Sequence, residues 1–369
     1  MPRHRIPLMT LTLLTLLALG AAVLSINTEG HGGPSKGRAS SHPRLPIGSP
    51  EYGFGGYQLY PVDPVTSVSA AWTVPTISTN SSTGDASTWI GVQSQSGAFS
   101  QVGTVENRNS ANGNDQYYAF WSDTAKQFRP LFLIGVKPGD SVEARMTLYP
   151  DGWSLALDDT TSGKARTIQT NYGANDQFNS CEWFQENPVY GQFTHTNYPT
   201  LSTVTFRDMA LNHSTPQFNF QDAQTLSTYN DTFFVPTHVK RHQFSLVPAT
   251  GSALAFLTDV YIEDQLGADF FESATQGIEP GNIATNSYIA GLGLDLPILQ
   301  SETWPKHVAK AMSRYIANEN YLETYMQNWL NEPPSERRAN LSNVANALLK
   351  ADGYADKVRS RLGLPPVYG

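Results

Sequence analysis

The chain has 369 residues, 40% of them hydrophobic, and a formal net charge of −8. That length and apolar content suffice for a buried core, and the charge counted segment by segment leaves no basic nucleic-acid-binding surface. Its single cysteine, Cys181, excludes an internal disulfide, so stability rests on packing.

Residues 1–25 have the order of a secretory signal. Arg3, His4 and Arg5 precede the charge-free run Leu8–Leu24 (LMTLTLLTLLALGAAVL), which ends among the small residues Ala18, Gly20, Ala21 and Ala22. A run of that length also sits at the lower edge of a membrane span. The small residues where a signal peptidase cuts favour cleavage, and with it a secreted, extracellular protein without stable membrane association. Residues 26–50 (INTEGHGGPSKGRASSHPRLPIGSP) are rich in Gly, Ser and Pro and read as a disordered leader or propeptide.

From 51 to 250 the pattern is all-β. Short alternating runs such as TSVSAAWTV (66–74), TWIGVQ (88–93), QYYAFWS (116–122), SVEARMTLY (141–149) and WSLALD (153–158) are separated by turn signals at 138–140 (PGD), 149–152 (YPDG) and 161–164 (TSGK). Many short antiparallel strands over this length predict a sandwich or barrel. Residues 251–369 read as a mainly helical region without an assigned role. Val308, Met312, Tyr315, Leu322, Met326 and Trp329 recur at helical spacing between Pro305 and Pro333-Pro334, and Leu341, Val344 and Leu348 continue the signal to Gly353. The stripe is too large to leave in water. Residues 251–300 contain no Lys or Arg and give no clear period.

Familiar hydrolase motifs are missing. There is no G-x-S-x-G and no H-E-x-x-H, and Asp123-Thr124-Ala125 is a poor match to the Asp-Thr-Gly of paired-aspartate peptidases. His238 and His242 have i, i+4 spacing, but Pro236 beside them argues for loop or strand, so neither a metal nor another cofactor is implied.

The stretch C-E-W-F-Q-E-N-P (181–188) stands apart. As a strand it sets Glu182, Phe184 and Glu186 on one face. An apolar neighbour and a like charge both raise a carboxyl pKa, which suits an acid/base group; a solvated strand face is the plain alternative.

Four stretches, in order, resemble the glutamic peptidases, or eqolisins. GFGGYQL (53–59) with VSAAWTVP (68–75) is similar to the family's mature N-terminus, where a Trp-Gly-Gly segment leads into a strand ending in Val-Pro. TWIGV (88–92) with FSQVG (99–103) is similar to the segment carrying the catalytic glutamine. YYAFW (117–121) matches an aromatic strand, and CEWFQE (181–186) the strand carrying the catalytic glutamate. The resemblance implies a concanavalin-like sandwich of two antiparallel sheets over about 53–248, to which the helical C-terminal region is added. It further implies an acid endopeptidase acting on proteins or peptides, with Gln101 and Glu182 as catalytic pair. Trp89 and Glu186 are the candidate substrate-binding residues. Where the family pattern has Asp, this chain has Gln93 and Val105.

The pair makes chemical sense in itself. A carboxylate takes a proton from water and returns it to the leaving amine, while an amide N–H holds a developing oxyanion without titrating. Gln93 and Gln95 are rival donors. A glycan-binding module of the same fold, or a glycoside hydrolase using Glu182 and Glu186, remain the other readings. What separates them is whether the Gln101 amide and the Glu182 carboxyl converge on one point.

Overall fold

The computed structural model describes residues 53–109, 115–126, 129–171, 173, 175–190, 194–195, 197–219, 222–228, 232–260, 270, 273 and 280–365. The signal and leader expected at 1–50 lie outside the described residues. Two compact units are present. The first comprises Gly56–Phe218 and Thr237–Leu246, and the second Asn219–Pro236 and Val247–Gly369 with the segment ending at Gly55.

The strands run in chain order β1 (Phe54–Leu59), β2 (Ser67–Thr73), β3 (Ser87–Ser94), β4 (Phe99–Arg108), β5 (Asp115–Asp123), β6 (Leu131–Gly135), β7 (Ser141–Tyr149), β8 (Gly152–Asp159) and β9 (Lys164–Thr170). They continue with β10 (Phe178–Glu186), β11 (Val189–Tyr190), β12 (Thr194–His195), β13 (Val204–Leu211), β14 (Ala223–Gln224), β15 (Leu226–Ser227), β16 (Phe233–Pro236) and β17 (Phe244–Pro248). A seven-stranded sheet has the order β14-β1-β10-β3-β4-β5-β6, and an eight-stranded sheet the order β15-β16-β17-β13-β2-β7-β8-β9. The two antiparallel sheets form the sandwich that the sequence implied.

Alternation explains strands such as β7, where Val142, Ala144 and Met146 are buried and Glu143 and Arg145 exposed. Two buried indoles tie the sheets together. Trp72 Nε1 donates to Thr104 Oγ1 at 3.0 Å, and Trp183 Nε1 to the Ser69 carbonyl at 3.0 Å. Strands β3, β4 and β10 depart from the one-face rule, because nearly every residue in them is buried. Their inner face carries Ile90, Val92, Val102, Cys181 and Trp183. The opposite face carries an aromatic cluster of Trp89, Phe99, Phe120 and Phe184 with Val105.

In the second unit, residues 251–260 are helical and are followed by helices α1 (Asn282–Ser301), α2 (Lys306–Leu330) and α3 (Pro334–Leu362). All six residues of the expected stripe are buried on α2. Val308, Met312 and Tyr315 pack with Phe256, Leu299, Val358 and Phe233 of β16, whereas Leu322, Met326 and Trp329 pack with Tyr288, Val344 and Leu348. Gly353 does not stop the last helix. An internal glycine costs about 1 kcal/mol, and burial of Val358 beyond it outweighs that. The stop comes at Gly363, whose φ of 71° caps the helix in the left-handed region. Among the described residues no helix is long and apolar enough to cross a membrane.

Candidate active site

Strand pairing decides which side chains meet. In the β10–β3 register Glu182 lies opposite Gly91, in β3–β4 Gly91 lies opposite Gln101, and in β4–β5 Gln101 lies opposite Ser122. Directly opposed residues share a face, so Glu182, Gly91, Gln101 and Ser122 form one row across the sheet. Two inter-strand spacings, roughly 10 Å, separate the Cα atoms of Glu182 and Gln101. Between them the strand carries only hydrogen.

The glycine is sterically required. A Cβ on Gly91 would stand 2.8 Å from Trp89 Cζ3 and 3.0 Å from Phe99 Cζ, because both rings lean over it. Trp89 meets Phe99 and Phe184 edge to face, at centroid distances of 5.7 and 5.5 Å. These rings crowd Gly91, which lies between the strands carrying the carboxyl and the amide. Gly103, opposite Trp89, is equally constrained, since a Cβ there would lie 2.1 Å from the Thr88 carbonyl oxygen.

Glu182 is 5% exposed and Gln101 6%. Burial pushes the Glu182 carboxyl up to about 8; hydrogen bonds from Gln58 and Ser180 oppose the rise, and the nearby Glu186 adds to it. Gln58 Nε2 donates to Glu182 Oε1 at 2.7 Å and to Ser180 Oγ at 3.0 Å. Gln101 Nε2 donates to Ser122 Oγ at 3.3 Å, and its Oε1 is buried without a hydrogen-bond partner.

Glu186 shares the face of Glu182, as the strand period required, but its oxygen is already engaged. Oε2 accepts from Trp89 Nε1 at 2.7 Å and from Ser87 Oγ at 3.0 Å. Burial raises this carboxyl to about 7 against those two bonds. Trp89 is 2% exposed and Glu186 half-buried, and the pair forms a side wall next to the row.

The rival amides stand elsewhere. Gln93 is one row along, opposite Phe99 and Ser180, and Gln95 is exposed in the turn after β3. Val105, where the family pattern has Asp, belongs to the aromatic cluster. Cys181 points to the inner face, where burial pushes its thiol far up and keeps it protonated. His238 precedes a short turn in which Lys240 bridges Gln243, and both Arg241 and His242 there have left-handed backbone.

Two residues escaped the sequence reading. Gln58 sits in GFGGYQL, and the period of β1 puts it on one face with Gly56; that polar interruption of a buried strand was the available signal. Glu106, 0% exposed, lies on the inner face of β4, where Thr88 Oγ1 donates to its Oε2 at 3.2 Å and burial holds its carboxyl well above the usual range. Nothing in F-S-Q-V-G-T-V-E marks Glu106 as a core residue.

The chain is a glutamic-type peptidase on a two-sheet β-sandwich. The Peptidase A4 family model matches residues 53–245, more than half of the chain, and the chain belongs to that family. Among solved structures it is similar to scytalido-glutamic peptidase with a transition state analog inhibitor. That likeness is 20% identical, covers 55% of this chain and 100% of the other, and has a TM-score of 0.43. It is also similar to the aspergilloglutamic peptidase from Aspergillus niger, at 15% identity, 45% and 99% coverage and a TM-score of 0.34. No curated protein sequence matches it.

Proposed function

We propose that the protein is a secreted acid endopeptidase in which Glu182 and Gln101 hydrolyse the peptide bond. The observation that carries this reading is the row Glu182–Gly91–Gln101. A titratable carboxyl and a non-titrating amide stand on either side of Gly91 on one face, and Gly91 puts no side chain between them.

With its carboxyl raised to about 8, Glu182 rests neutral in acid. A neutral carboxyl has one oxygen that donates and one that accepts. As water adds to the carbonyl carbon, its proton passes to the accepting oxygen of Glu182, and the O–H of Glu182 protonates the departing nitrogen. The C–O bond forms, the C–N bond breaks, and Glu182 ends neutral with its proton on the oxygen that received it from water; proton exchange with solvent restores the starting form. The charge that develops on the carbonyl oxygen is met by an amide N–H of Gln101. If the amide is turned over, the Ser122 hydroxyl donates to Oε1 and the NH2 group takes the position that lacks a partner.

A glycosidase pair needs two carboxyls facing each other across a groove. Glu186 instead follows Glu182 on the same strand and is held by Trp89 and Ser87, which favours the peptidase. The test is digestion of a denatured protein at about pH 4, well below the carboxyl pKa values that set the resting charge. The purified secreted protein should cleave it in the presence of chelators and of serine, cysteine and pepstatin-type inhibitors. Inhibition by a chelator would overturn the proposal.

A further inference from the structure

We infer that Gln58 is a positioning residue for Glu182, fixing which carboxyl oxygen carries the proton. The inference rests on the proposed role of Glu182. Gln58 Nε2 is a donor 2.7 Å from Oε1, so Oε1 must be an acceptor, and in the neutral carboxyl the hydrogen belongs on Oε2. The second N–H of the same amide is taken by Ser180 Oγ at 3.0 Å. Both Nε2 hydrogens are committed in this orientation, whereas the amide turned over would need the Glu182 proton on Oε1, so the orientation of Gln58 and the position of the proton are one choice. The carboxyl is thereby held in one rotation and one protonation pattern. Oε1 takes the proton of water as the Ser180 hydroxyl, which also bonds to this carboxyl, gives way, and the O–H on Oε2 is left for the substrate.

Fixing that pattern removes a conformational search from the chemical step. It also biases the charge. A donor at 2.7 Å favours the ionised carboxyl and therefore opposes the burial that raises it. The other ionisable groups near Glu182 are Glu186 on its own strand, the Tyr60 phenol from the end of β1, and the adjacent Cys181 thiol. All are acids, so none donates a compensating positive charge. Gly91 from β3 and Gln101 from β4 contribute none either.

Two variants of the full-length secreted protein test the inference. Gln58→Leu keeps bulk and removes the donor; Gln58→Glu is isosteric and places a second carboxyl against Oε1. The readouts are kcat and KM against pH, and titration of 13C-labelled glutamate carboxyls, with Glu182→Gln identifying the Glu182 signal. Gln58→Leu should lower kcat at least tenfold with KM nearly unchanged and move the Glu182 titration midpoint to a pH about 1 higher. Gln58→Glu should instead split it, because two touching carboxyls share one proton. A merely structural Gln58 would lower activity without displacing the titration in Gln58→Leu, and that result overturns the inference. Should Gln58→Leu not fold, Gln58→Met, equally long and without a donor, decides in its place. An active Glu182→Gln would sink the catalytic reading itself, whereas an inactive Glu182→Gln with an unmoved titration in Gln58→Leu would sink only the role of Gln58.

Discussion

Gly91→Ala adds one methyl at the centre of the proposed site. Its Cβ would lie 2.8 Å from Trp89 Cζ3 and 3.0 and 3.1 Å from two Phe99 ring atoms. Neither ring is a loose end. Trp89 is anchored by its bond to Glu186 and by edge contacts with Phe99 and Phe184, and all three aromatics are buried. Overpacking of a filled site costs about 1–3 kcal/mol, and for a domain of this size each kcal/mol lowers Tm by roughly 2–4 °C. The relief available is for a ring to tilt away from the strand, into the gap between Glu182 and Gln101. The variant should therefore fold, melt several degrees early, and lose at least tenfold in kcat/KM, since sub-ångström displacement at a reacting centre is costly. Thermal unfolding monitored by circular dichroism and a fluorogenic peptide assay read the two effects. Gly103→Ala is the steric control: its Cβ would meet the Thr88 carbonyl oxygen at 2.1 Å, so it should not fold. Wild-type Tm and activity in Gly91→Ala would refute the packing argument.

Stability should fall as pH rises. Glu182 and Glu186 have folded pKa values of about 8 and 7, and Glu106 is raised as well, whereas glutamates of the unfolded chain titrate near their ordinary 4.5. The folded chain thus holds protons that the unfolded chain has released. The contribution is whole below pH 4.5 and is lost as pH climbs through 7 to 8. For Glu182 and Glu186 together it amounts to at most about 8 kcal/mol, because each tenfold difference in proton affinity between folded and unfolded chain is worth about 1.4 kcal/mol. A Tm that rises between pH 4.5 and 8 would contradict it. Trp89→Phe keeps the aromatic wall and deletes a donor to Glu186, so the Glu186 titration should move upward, with a loss of stability of about 1–3 kcal/mol; an unchanged titration would show the bond to be idle. Deletion of the chain from Gly251 uncovers Phe233 and Val235, against which Phe256, Leu299 and α2 pack, so Tm or solubility should drop, and an equally stable truncated protein would dismiss that packing.

The fold was legible because alternation and turn residues write themselves locally. Strands such as SVEARMTLY follow the period from Val142 to Met146, and the stripe from Val308 to Trp329 reads directly as one buried helix face. What a period cannot supply is which strands are neighbours. It puts Glu182 and Glu186 on one face, but the partners of those carboxyls come from β1 and β3, 124 residues away for Gln58 and 97 for Trp89. The β10–β3–β4 register that aligns Glu182 with Gln101 is likewise a product of sheet order, reached in the sequence only through resemblance. Glu106 was hidden for a different reason. Strand β4 is buried on both faces, so alternation there no longer separates core from surface, and a charged letter on the inner face reads as solvated. Gly353 misled in the opposite direction, since local propensity yields when the residues beyond it are well packed.

The central claim concerns one carboxyl and one amide, and the most direct measurement compares cleavage of a denatured protein in acid by the wild type, Glu182→Gln and Gln101→Ala, with circular dichroism confirming that each is folded. Loss of the proton carrier should abolish cleavage, and loss of the oxyanion donor should lower kcat by about 100-fold or more. A folded Glu182→Gln that still cuts at the wild-type rate would contradict the account.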